Sequence, residues 1–318
     1  MVQPMGSRAT ADGGHRPLEL GFNLPYVEGS MDGRTPSWVD IRAMAQTAEA
    51  VGFDAVWVSD HVGFGDPAGD WTGAWESWTL LSALAASTER VALGTYVLAV
   101  PFRHPALLAK MAETLDEVSA GRVILGIGAG WDEPEFTSYG VPFVDRFDRF
   151  EDAIRILTEM LRHGVSTHDG RTVQTRQARL APRGPRPGGL PVMVGATGPR
   201  MLRLTAELAD HWNAGLRTTD EASRLIEALD AACRKVGRDP QAITRSAEVR
   251  VRTSAVGGSP AEEPEIRGEP HVIVDQLRRY ADLGIDHLQV QLRPNTVEGI
   301  RAFAPVIEHL RNSSGLAT

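Results

Sequence analysis

A single cysteine, Cys233, stands in 318 residues, which excludes an internal disulfide, and neither a CxxC pair nor a Cys/His zinc spacing occurs. A chain without such cross-links fits a reducing compartment, and the cytoplasm is the expected location. No apolar run approaches the about 18 residues of a membrane span. The opening "MVQPMGSRATADGGHRP" has no apolar signal core. It reads as a disordered extension over residues 1–17, with Met5 as an alternative start, ahead of one domain over residues 18–318. An excess of positive charge is missing too. The net charge is -8 and the pI about 5.6, which argues against a nucleic-acid or anionic-membrane surface. The longest acidic cluster, "EEPE" ending at Glu265, falls in a loop-like stretch. No G-x-S-x-G elbow is present and Cys233 falls mid-helix, so nucleophilic hydrolysis is disfavoured.

What the chain does have is a regular alternation. With 42% hydrophobic and 23% charged residues it is long enough to bury a substantial core. Short β-rich runs are expected at 20–24, 55–59, 91–98, 123–127, 192–195, 211–214, 245–252 and 287–291, each followed by a stretch of helical period. In "PSWVDIRAMAQTAEAVGF", Val39, Met44, Ala48 and Val51 recur at helical spacing and Gly52 closes the helix. "PALLAKMAETLDEVSAGR" repeats the grammar, with Pro105 in the first turn and Gly121 as the stop. Eight such units predict an α/β fold, a closed (β/α)8 TIM barrel; a doubly wound sheet usually has fewer strands. The longest interruption, 164–189, inserts between the fourth helix and the fifth strand, and its "THDGRTVQ" carries an Asp-Gly turn signal for a hairpin. Long connections at 63–74 and 131–148 follow strands two and four, on the side where a barrel carries its active site.

Strand two ends on Asp60 and His61. Alternation sends neighbouring strand residues to opposite sides, so the two are poorly placed as a mutual dyad. Asp60 is either a loop cap or a ligand anchor; His61 is either a satisfied rim histidine or a proton carrier. A metal site joining them to Asp66 and Asp70 lacks any repeated ligand spacing, and no metal is expected. "PVMVGATGPRM" ends a buried strand on Gly195, Ala196, Thr197 and Gly198 before Pro199 opens a helix, so free N–H groups converge as at an anion site, with Arg200 close by. An ordinary tight turn gives the same pattern. "GIGAG" at 126–130 lacks the GxGxxG helix start of a dinucleotide fold. Phe64, Trp71, Trp75 and Trp78 follow strand two and Trp131 follows strand four, a set that suits core packing or the walls of a planar ligand. Arg103 and His104 read as helix-entry polars or as site residues.

Taken in order, "GFNLP", "GFDAVWVSDHV", "GTYVLAVPFRHP", "VILGIGAGWDEPEF", "PVMVGATGPRMLRLTAELADHWN" and "ADLGIDHLQVQL" resemble the luciferase-like monooxygenase superfamily, most closely its branch using the deazaflavin F420. The resemblance covers about residues 18–310. It implies a planar ring lying over strands two and three, a non-proline cis peptide at Tyr96–Val97 forming a bulge behind that ring, cofactor contacts from Asp60, and a phosphate loop over Gly195 to Arg200. It also implies a homodimer. Deazaflavin-dependent sugar-phosphate dehydrogenases of this superfamily place a glutamate just after the strand-four glycines, where this chain has Trp131; Glu135 is then a candidate polar contact, and sugar dehydrogenation is not transferred.

The leading expectation is hydride transfer between F420 and a small organic substrate, with His61 as proton carrier and Trp71, Trp75, Trp131 and Glu135 lining the substrate pocket. Arg176, Arg179, Arg183 and Arg186 of the insertion are suited to the acidic tail of F420, or form a solvated face. Two alternatives stand beside it: a monooxygenase using reduced FMN and O2, and a barrel that binds flavin without catalysis.

Overall fold

The structure is a computed structural model that describes residues 18–66, 68–253 and 264–312. The N-terminal extension and the first two glutamates of "EEPE" lie outside the described residues. Eight strands carry the fold: β1 (Glu19–Asn23), β2 (Ala55–Val58), β3 (Ala92–Thr95), β4 (Val123–Gly128), β5 (Val192–Gly195), β6 (His211–Leu216), β7 (Thr244–Thr253) and β8 (His287–Arg293). Each pairs in parallel with the next, and β8 pairs with β1 to close the barrel. Closure removes the unpaired edges that a parallel sheet otherwise exposes.

The helices that wrap the barrel are α1 (Trp38–Val51), α2 (Ser77–Ala85), α3 (Pro105–Val118), α4 (Arg146–His163), α5 (Pro199–Leu208), α6 (Thr219–Lys235), α7 (Pro270–Asp282) and α8 (Val297–Asn312). Their starts follow local chemistry. Ser37 and Asp40 form a capping box on α1, Thr218 and Glu221 form one on α6, and the His104 side chain accepts from the Ala106 N–H to cap α3. The insertion forms an antiparallel hairpin, Val165–Asp169 with Gln174–Arg179, as the turn signal predicts.

Two clusters fill the molecule. The larger lies between strands and helices, and includes Phe22, Ile41, Leu93, Ile154 and Phe303. The smaller lies inside the barrel, on Ala55, Trp57, Ile124 and Met193. The Trp57 indole occupies the barrel axis: a Cβ on Gly21 or Gly94 would stand about 2 Å from it, so neither position admits a side chain while the indole stays. Trp57 Nε1 donates to His287 Nε2 at 3.0 Å.

One strand departs from the expected pattern. The run at 91–98 is not continuous; β3 stops at Thr95, and Leu98–Ala99 pairs separately with Ile127 and Gly128 of β4. The break is the cis peptide Tyr96–Val97, at the position the resemblance implies. Thr95 seals it on the β4 side, its Oγ1 donating to the Gly126 carbonyl at 2.7 Å and accepting from the Gly126 N–H at 2.9 Å.

Candidate active site

The C-terminal ends of the strands enclose a cavity of about 1200 Å³. Its wall includes Asn23, Asp60, His61, Tyr96, Val97, Trp131, Glu135, Glu248 and the Gly195–Gly198 turn. A second cavity, about 560 Å³, opens at the other end of the barrel beside Asp54, Arg90 and Arg122. There Arg122 is held by the Ala85, Thr88 and Val91 carbonyls, as suits a face that stabilises the barrel.

Asp60 and His61 part company as strand alternation requires. The Asp60 carboxylate is 7% exposed and four donors converge on it: both terminal nitrogens of Arg103 at 2.7 and 2.9 Å, the Ser77 hydroxyl at 2.6 Å and the Ala99 N–H at 3.0 Å. It therefore ties the chain beyond Tyr96–Val97 to α2 and to the approach to α3. Arg103 also reaches Glu76 at 2.6 Å, and Glu76 caps α2. Arg103 thus belongs to this ionic cluster, while His104 caps α3.

His61 takes the other side. Its Nδ1 lies 3.1 Å from Glu135 Oε2, and Glu135 Oε1 accepts the Val62 N–H at 2.5 Å. The imidazole packs on Phe64, with ring centres 4.4 Å apart, and meets Trp131 edge-on at 5.5 Å. Glu135, only 1% exposed, comes from the short helix Glu133–Ser138 that follows β4. A carboxylate beside one ring nitrogen orients the imidazole, which lines the cavity, and leaves the other ring nitrogen for a further partner.

The remaining expected residues divide. Tyr96, Val97, Gly195, Ala196, Thr197 and Gly198 line the cavity. Gly198 is the N-cap of α5 and supplies no side-chain cap, so the first-turn N–H groups are left for a ligand or solvent. Pro199 opens the helix outside the lining. Arg200 does not face the cavity: it pairs with Asp148 and with Glu151 at 2.8 Å. Partial burial pushes Glu151 up, but Arg200, Arg155 and Arg203 together pull it down to about 2. Trp131 is 68% exposed and stands at the rim. Trp71 and Trp75 lie outside the lining; the Trp71 ring covers Gly63, and Trp75 donates to the Pro36 carbonyl at 2.8 Å.

The insertion arginines are placed elsewhere than the mouth. Arg183 pairs with Glu113 and Arg186 with Asp116, both on α3, and none of the four lines the cavity. The arginines that do line it are Arg146, Arg217, Arg250 and Arg293. Sequence reasoning also passed over Glu248. In "RSAEVRVRT" the residues Ser246, Glu248 and Arg250 alternate with apolar ones, so the polar set shares the inward face of a strand buried on both sides. That alternation was the available signal. Glu248 accepts from the Tyr96 hydroxyl at 3.0 Å and from Asn23 Nδ2 at 3.1 Å, so it bridges β3 and β1 across the mouth from β7.

Residues 18–263 match the family described as luciferase-like monooxygenase. The chain belongs to that family. Among its relatives, a 5,10-methylenetetrahydromethanopterin reductase of Archaeoglobus fulgidus is 30% identical over 205 residues, covering 64% of this chain and 58% of that protein. An F420-dependent glucose-6-phosphate dehydrogenase of Microbacterium testaceum is 33% identical over 217 residues, covering 64% of this chain and 61% of that one. The matches span about six tenths of these relatives' length. A solved F420-dependent secondary alcohol dehydrogenase, in complex with an F420-acetone adduct, superposes with a TM-score of 0.77 at 20% identity, over 93% of this chain and all of that one; this likeness speaks to the fold. Among the described residues no helix is long and apolar enough to cross a membrane.

Proposed function

We propose that this chain is an F420-dependent oxidoreductase acting on a small organic substrate, with His61 as its proton carrier. The observation that carries the reading is that one cavity holds both the Glu135-oriented imidazole and the uncapped start of α5 at Gly198. The curated relatives named above, with an F420-dependent dehydrogenase among them, point the same way.

The residues fit such a cofactor. The cavity is roomy enough for a tricyclic ring and a substrate together. Tyr96 and Val97 offer a flat seat, and a Cβ on Gly195 would stand 3.2 Å from Val97, so the turn and the seat form one continuous surface. The N–H groups of Thr197, Gly198, Arg200 and Met201 suit a phosphate, and Arg217, Arg250 and Arg293 suit further negative charge. When bound, the deazaflavin supplies hydride chemistry. The chain's own part is to orient the ring and exclude water, and His61 holds or takes the proton that balances the hydride. Trp131 takes the place of the glutamate of sugar-phosphate dehydrogenases, so a substrate other than a sugar phosphate is favoured.

Anaerobic assay of F420 reduction against a panel of secondary alcohols, with reduced F420 tested against the matching carbonyl compounds, tests the activity. Cofactor-dependent turnover of any member supports the proposal. Turnover that requires reduced FMN and O2 instead assigns the monooxygenase alternative, and tight binding without turnover across the panel assigns the carrier alternative.

A further inference from the structure

A third cavity, about 370 Å³, lies outside the barrel, where the turn Val100–Phe102 and the start of α3 meet α4 and the insertion hairpin. It shares no lining residue with the cavity at the mouth. Val100, Phe102, Pro105, Ala153 and Val173 give it apolar walls, and Arg103, His104, Arg149 and Gln174 bring polar groups to it. Among the described residues no carboxylate lines it, although the chain as a whole carries a net charge of -8.

The two arginines differ in their company. Arg103 is matched by Asp60 and Glu76. Arg149 is half-buried, its Nε is buried without a hydrogen-bond partner, and its guanidinium has no ion pair among the described residues. Other arginines of α4 are provided for: Arg146 lies over the Phe143 and Phe147 rings, Arg155 pairs with Glu151, and Arg162 with Asp210. The carboxylates one turn away on the same helix face are engaged elsewhere. Asp145 pairs with Arg171 at 3.2 Å, and Asp152 accepts from the Thr172 N–H at 2.7 Å and hydroxyl at 2.6 Å and lies 3.0 Å from His168. A charge withdrawn from water without a counter-ion is costly, and unpartnered polar atoms mark places where a ligand completes the set. His104 adds a donor: its Nδ1 accepts from the Ala106 N–H at 3.3 Å, which leaves the proton of the neutral ring on Nε2.

We propose that this pocket binds a small organic carboxylate, its charged end on Arg149 and its apolar body against Phe102, Pro105 and Val173. A guanidinium presents a fork of N–H groups that matches the two oxygens of a carboxylate. The positive end of α3, at Pro105, adds to the attraction. A volume in the range of small-molecule sites, with apolar walls and few polar groups, suits an organic ligand better than a bare inorganic ion. The site stands apart from the cofactor reading, because none of its walls belongs to the mouth.

The test uses the full chain, with benzoate and hexanoate as probes, their uncharged amides as controls, and ionic strength held constant. Broadening of the probes' NMR signals is expected to show saturable binding of both carboxylates at millimolar concentration or lower, with the amides about tenfold weaker or more. Arg149→Met is expected to weaken carboxylate binding by about tenfold or more without lowering the melting temperature, since the guanidinium has no internal partner to lose. Arg217→Met, at the mouth, is expected to leave that binding unchanged. Binding that survives Arg149→Met, or is lost in Arg217→Met instead, places the carboxylate elsewhere and overturns the proposal. Inorganic phosphate binding as tightly as the carboxylates overturns the organic class, and a folded wild type that binds neither carboxylate overturns the site. Should Arg149→Met fail to fold, Arg149→Lys, which keeps the charge and lacks the fork, must bind the carboxylates more weakly than wild type; equal binding overturns the assignment to Arg149.

Discussion

Glu135 grips two consecutive residues at once, the His61 imidazole through Oε2 and the Val62 N–H through Oε1, at 3.1 and 2.5 Å. The chain beyond β2 is thereby fixed with the imidazole facing Phe64 and Trp131 at the cavity wall.

Replacing His61 by alanine removes the proposed proton carrier without touching the Gly195–Gly198 turn or the Tyr96–Val97 seat. Turnover is expected to drop by about 100-fold or more, with cofactor affinity within a few-fold of wild type. Steady-state kinetics beside a binding titration checks both; unchanged turnover on a confirmed substrate removes His61 from the chemistry.

Glu135 acts through His61, so Glu135→Ala is expected to lower kcat by about 10- to 100-fold and to shift the pH–rate profile. Residues acting as a unit are not additive. The double variant with His61→Ala is therefore expected to be no slower than His61→Ala alone. Multiplying losses would assign Glu135 an independent role.

The Asp60–Arg103 cluster predicts stability rather than chemistry. Arg103→Met leaves the buried Asp60 carboxylate without its cation and is expected to cost about 3 kcal/mol or more, lowering the melting temperature by about 6 °C or more; Asp60→Ala leaves Arg103 its contact with Glu76 and is expected to cost less. Differential scanning calorimetry reads this directly. An unaltered melting temperature would show the cluster to be dispensable.

At the other end of the barrel, burial pushes His211 down to about 4, with the neighbouring His287 adding to the effect. An unfolded histidine titrates near 6.5, so between about pH 6.5 and 4 the unfolded chain binds the proton that the folded one refuses. The stabilisation is full above about 6.5 and is lost as pH falls toward 4. Melting temperature is expected to decline over that window in the wild type, with a shallower decline in His211→Gln. Parallel declines would take His211 out of the acid response.

The barrel was legible because parallel strands covered by helices must be short, apolar and regularly spaced, and these are. Strand limits were harder to place: β7 runs to Thr253 because Ile266–Gly268 adds parallel pairing at its end, a partner that no local pattern announces. The break in β3 came from the resemblance, since "GTYVLAV" reads locally as one continuous strand. In the candidate site, the local signal at Gly195–Gly198 picked out a turn that does line the cavity. Local signals failed where a partner distant in sequence decides. Arg200 looked available until Asp148 and Glu151 claimed it, and two of the insertion arginines, Arg183 and Arg186, were claimed by Glu113 and Asp116. Glu248 was hidden because its partners, Asn23 and Tyr96, lie 225 and 152 residues away.

The cofactor itself is tested most directly by parallel titration of the wild-type chain with F420 and with reduced and oxidised FMN, read by quenching of tryptophan fluorescence. Trp131 at the mouth rim and Trp57 beneath Tyr96 make the signal local, the latter pair lying edge to face at 6.4 Å. Saturable binding of F420 at micromolar or lower concentration, tighter than that of either form of FMN, is the predicted result. Micromolar binding of FMN with none of F420 would contradict the account.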